Sequence, residues 1–116
     1  MLIKRIDTSS RMSQASQLGN LLVLSGQVSE GVDVTAQTES LFHNIDALLQ
    51  KAGTHKSNIL YANIFLTDMN TYDAFNAVWD QWIDVDNQQS PSRSAIQVVR
   101  LAKPEWLVEV QVFVGV

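Results

Sequence analysis

Cysteine is absent from this chain of 116 residues, which removes disulfide frameworks, thiol nucleophiles, iron–sulfur clusters and cysteine-based zinc sites. A reducing compartment is thereby permitted. Two prolines and five glycines are too few for a collagen-like or low-complexity chain. Positive charge is in deficit: eight Lys and Arg stand against twelve Asp and Glu, a formal net charge of -4. No overall positive field exists to recruit nucleic acid or an anionic membrane surface, and neither is expected as a partner. No apolar run approaches the ~20 residues that cross a bilayer, and the opening MLIKRIDTSSRMSQ lacks the apolar centre of a signal peptide. The cytoplasm is the expected location.

What is present is an ordinary globular composition, 46% hydrophobic and 17% charged. A chain of this length makes one domain, residues 1–116, burying about 65% of its extended surface. Residues 17–28 (QLGNLLVLSGQV) read as two strands about a Gly19-Asn20 turn, and Gly26 marks either a bulge or a close ligand approach. Leu41, Ile45, Leu48, Leu49 and Ala52 recur at helical spacing between Asp33, a plausible N-cap, and Gly53, a C-terminal stop.

Residues 58–67 alternate as a strand, with Leu60, Ala62, Ile64 and Leu66 on one face. Tyr72, Phe75, Trp79 and Trp82 predict a second helix, and these aromatics read as core rather than as a cofactor box. A polar loop over residues 84–91 is followed by strands at 93–99 and 107–116, joined around Lys103-Pro104. The order is β-β-α-β-α-β-β, an α+β mixed sheet with two helices packed on one face. The helices cover one side only. Tyr61, Phe65, Leu107 and Phe113 project to the other, where a monomer would leave an apolar patch in water, so a symmetric homo-oligomer is expected.

Metal and nucleotide chemistry find no foothold. His43 and His55 have no partner at a metal-binding spacing, and residues 84–87 lack the glycine and terminal glutamate of a calcium loop. There is no G-x-S-x-G and no glycine-rich phosphate loop. Two charges remain where burial is expected: Arg93, entering a strand after Pro91-Ser92, and Glu109, inside a valine-rich strand. They are either an internal ion pair or half-exposed strand residues, or else a carboxylate receptor with an acid/base group, since arginine's planar fork binds a carboxylate through two parallel hydrogen bonds. If the last two strands form a hairpin pairing Val99 with Leu107, then Gln97 faces Glu109 and Arg93 faces Phe113. The two charges are then about 13 Å apart, and a shared site needs Arg93 from one subunit and Glu109 from its neighbour.

The segments LGNLLVLSGQV, NIFLTDMNTYDAFNAVWDQW and SPSRSAIQVVRLAKPEWLVEVQV resemble the Rid family of reactive intermediate deaminases, also called the YjgF family, over nearly the whole chain. The resemblance implies a chorismate-mutase-like fold and a homotrimer with clefts between subunits. It also implies hydrolysis of enamines or imines such as 2-aminoacrylate to a 2-oxo acid and ammonia, without metal or organic cofactor. By the same resemblance Arg93 is the substrate-carboxylate arginine and Glu109 the glutamate that positions or activates water. Ser25 and Gly26 line the pocket, and Asn76 lies near it. Met12 stands where many deaminating members have tyrosine and Ala95 where they have cysteine, and the loop 102–106 is one residue longer. The expected ligand is a small 2-imino or 2-oxo carboxylate. A trimer that binds such acids without turning them over is the alternative.

Overall fold

The computed structural model describes residues 1–83, 86 and 88–116; Asp84, Val85 and Asn87, and with them most of the stretch tested above as a calcium loop, lie outside the described residues. Six strands form one sheet in the spatial order β1-β2-β3-β6-β4-β5. In chain order the elements are β1 (Lys4–Thr8), β2 (Ser13–Leu18), β3 (Leu21–Leu24), α1 (Val34–Lys51), β4 (Ile59–Leu66), α2 (Tyr72–Trp82), β5 (Ser92–Gln97) and β6 (Val108–Gly115). One strand, β1, was not anticipated. It is a mostly exposed edge strand whose Ile6 packs on the core, and one apolar residue leaves little alternation to read.

Local chemistry sets the expected elements in place. Leu18 pairs with Leu21 across Gly19-Asn20, and Gly19 takes φ +57°, a conformation that favours glycine. Asp33 caps α1 by accepting from the Ala36 N–H. At the other end Gly53 (φ +75°) and Thr54 donate to the carbonyls of Gln50 and Leu49, the pair of bonds that closes a helix through a left-handed glycine.

Both helices pack on one face of the sheet. Leu22, Leu24, Ala62, Ile64, Leu66 and the valines 108, 110, 112 and 114 are fully buried there against Leu41, Ile45, Leu49 and Phe75. The opposite face, carrying Tyr61, Asn63, Phe65, Gln111 and Phe113, is half-buried. Leu107, expected on that open face, instead packs against the core. Leu60, expected in the core, is 59% exposed. The pairing passes from Ile59↔Val114 to Tyr61↔Phe113, so a bulge extrudes Leu60 and hands its core position to Ile59.

The anticipated hairpin between the last two strands does not form. β5 runs parallel to β4, with Arg93 beside Ala62, while β6 lies antiparallel between β3 and β4. Burial explains the exchange. β6 is buried at every second residue, which suits a central strand, whereas β5 is mostly exposed, as an edge tolerates. The connection over residues 98–107 is also long for a hairpin.

Candidate functional site

Register decides which way the two charges face. Arg93 shares a row with Ala62 and Val112, both fully buried on the helix face, so its side chain points toward α2. There Nη2 donates to Asn76 Oδ1 at 2.7 Å and to the Tyr72 hydroxyl at 3.1 Å. The guanidinium carbon lies 4.9 Å from the Trp79 ring centre and 5.7 Å from that of Tyr72, within cation–π range. Nη1 is buried without a hydrogen-bond partner among the described residues. Ala95, two residues along β5, shares this face and packs on the core.

Glu109 shares a row with Phe65, on the open face. Of the alternatives open for the two charges, an internal ion pair does not form within one chain: Arg93 and Glu109 lie on opposite sides of the sheet. The Glu109 carboxyl is pushed above the usual carboxylate range, because burial disfavours its charged form.

A glycine explains how that carboxyl fits. Between Val23↔Phe113 and Gln27↔Val110 the β3 side has three residues, Leu24, Ser25 and Gly26, against two on β6. The extra residue makes a bulge, as Gly26 suggested. A Cβ on Gly26 would stand 2.3 Å from Glu109 Oε2, so the carboxylate occupies the space that a side chain at position 26 would take, and any larger residue there would displace it. The bulge is held by Ser25, whose N–H donates to Gln14 O and whose hydroxyl donates to Ser13 O at 2.7 Å. The Gln27 amide adds bonds to Gln14 Oε1 and Ser25 O.

Met12, Gln14, Gly26, Trp106 and Glu109 line an open cavity of about 780 Å³ that continues round to Leu48 and Lys51 of α1. The expected site residues thus fall into two separate groups within one chain: Arg93, Asn76 and Ala95 in one, Glu109, Gly26, Ser25 and Met12 in the other. Tyr72, Trp79 and Trp106 were not anticipated as site residues. Tyr72 was visible in principle, since it lies four residues before Asn76 and so on the same helix stripe. Among the described residues no cluster of three metal-ligating side chains occurs, and no helix is long and apolar enough to cross a membrane.

A family model described as Endoribonuclease L-PSP matches residues 2–116. A RutC family protein from Haemophilus influenzae is 44% identical over 113 residues, covering 95% of each chain. The chain belongs to the Rid (YjgF) family. A crystal structure of a YjgF-family member from Neisseria meningitidis superposes with a TM-score of 0.94 at 35% identity, covering 99% of this chain and 95% of that one. The Escherichia coli relative named 2-iminobutanoate/2-iminopropanoate deaminase is 30% identical over 97 residues, covering 78% of this chain and 76% of its own.

Proposed function

We propose that this Rid protein hydrolyses small 2-imino acids to 2-oxo acids and ammonia in clefts between subunits of a homotrimer. Arg93 of one protomer holds the substrate carboxylate and Glu109 of the next works on the water. The observation that carries this reading is the Glu109 carboxyl, seated against Gly26 at the edge of an open cavity with its proton affinity raised by burial. A carboxyl whose proton affinity is raised is a better proton acceptor than an ordinary one and can return the proton later. Water adds to the imine carbon, and its proton passes through Glu109 to nitrogen. The carbinolamine then collapses to the 2-oxo acid and releases ammonia. No strong nucleophile is required.

The Arg93 side supports binding. Asn76, Tyr72 and Trp79 fix the guanidinium, and its buried Nη1 lacks a partner among the described residues. Leaving such a donor unpaired costs about 1–3 kcal/mol, which an arriving carboxylate removes. The half-covered open face supplies the surface for assembly. The name of the Escherichia coli relative points to the same chemistry. One observation favours the alternative of binding without turnover: Met12, in the cavity wall, brings a thioether and no proton donor.

The test is release of ammonia and 2-oxo acid from imines generated in place by an amino-acid oxidase. The wild-type protein is expected to accelerate release over the uncatalysed rate, and Arg93→Ala to abolish the acceleration. Arg93→Lys should not restore it, because an ammonium cannot copy the fork. Binding of 2-oxo acids with no acceleration establishes the alternative, and neither binding nor acceleration overturns both.

A further inference from the structure

Trp106 is held more firmly than a half-exposed loop residue needs to be. Its indole N–H donates to Glu30 Oε1 at 3.2 Å, and Lys103 Nζ lies 5.0 Å over its ring. The residues on either side are pinned by one buried glutamine: Gln37 Nε2 donates to Glu105 O and Gln37 Oε1 accepts from Leu107 N, each at 2.9 Å. Gln37 is 1% exposed and uses its remaining amide hydrogen on Gly31 O. This bracing fixes an aromatic wall three residues before Glu109, in the same cavity.

Met12 lines that cavity too. It is 43% exposed and adaptable in shape. The cavity, about 780 Å³, falls in the ~300–1,000 Å³ range of sites that take ligands well above three carbons. We propose that Trp106 and Met12 form the side-chain subsite of the Glu109 cavity and select imino acids bearing a bulky apolar or aromatic side chain over the smallest ones. The inference rests on the imino-acid reading of Arg93 and Glu109 and adds a specificity to it.

Calorimetric titration of the full chain with 2-oxobutanoate, 4-methyl-2-oxopentanoate and 3-phenyl-2-oxopropanoate tests it. The wild type is expected to bind the two larger acids about tenfold more tightly than 2-oxobutanoate. Trp106→Ala should weaken the phenyl acid about tenfold and 2-oxobutanoate far less, and Trp106→Phe should keep most of the preference. Should Trp106→Ala fail to fold, Met12→Ala replaces it, with a smaller loss confined to the larger acids. Equal affinities for all three acids in the wild type, or a preference that survives both alanine variants, overturns the subsite and spares the Arg93 reading. Binding of none of the acids overturns both.

Discussion

The two faces of this sheet are made by the same strands and obey different rules. On the helix face every second residue of β6 is a fully buried valine, matched by Ala62, Ile64 and Leu66 of β4. On the other face the same strands carry Tyr61, Asn63, Phe65, Glu109, Gln111 and Phe113, half-covered and mixed in polarity. Asn63 donates to Gln111 there, and Tyr61 and Ser94 share a hydrogen bond. The chain's own helices settle the composition of the first face. The second is apolar enough to want cover and polar enough to want partners, a mixture that suits the contact surface of the proposed trimer.

If that contrast is right, the helix face carries the stability of the chain and the open face its assembly. Phe75→Ala, which removes a ring packed against Phe42 and Trp79, should cost about 3–5 kcal/mol in urea unfolding. Gln37→Ala strands the carbonyls of Gly31 and Glu105 and the N–H of Leu107, with an expected cost of about 2 kcal/mol. Phe113→Asp, on the open face, should cost the isolated chain only about 1 kcal/mol. The same change should reduce the mass found by light scattering from three chains to one; a single-chain mass for the wild type would break the comparison.

The smallest effect concerns pH. Because burial raises the Glu109 pKa in the folded chain, the folded state binds the proton more tightly than the unfolded one, so this residue's contribution weakens as pH rises through the folded value. Glu109→Gln should therefore melt higher than wild type at pH 7, with the gap closing below about pH 4, where the unfolded carboxyl is also protonated. An equal gap at both pH values would show that the effect is packing rather than ionisation.

Much of this was legible in the residues. The Gly19-Asn20 turn, the Asp33 cap, the Gly53 stop and the aromatic stripe of α2 are local signals, and each stands where its chemistry requires. Pairing partners were not legible. Whether β5 lies beside β4 or β6 depends on which strand can be buried on both faces, a competition among segments distant in sequence. That error carried into the site: the hairpin register placed Arg93 opposite Phe113, whereas the parallel register turns it to the helices and separates it from Glu109 by the sheet itself. Bulges were half legible. Gly26 announced one, and nothing in ILYANIFL announced the other at Leu60.

The sheet standing between Arg93 and Glu109 makes the central claim one of assembly, and mixing two inactive variants tests it most directly. Arg93→Ala and Glu109→Gln chains, each without activity alone, are dissociated together in equal amounts and refolded. If every site joins one protomer's guanidinium to its neighbour's carboxyl, one in four interfaces regains both groups, and imine hydrolysis returns to roughly a quarter of the wild-type rate. A mixture no more active than its parents would contradict the account.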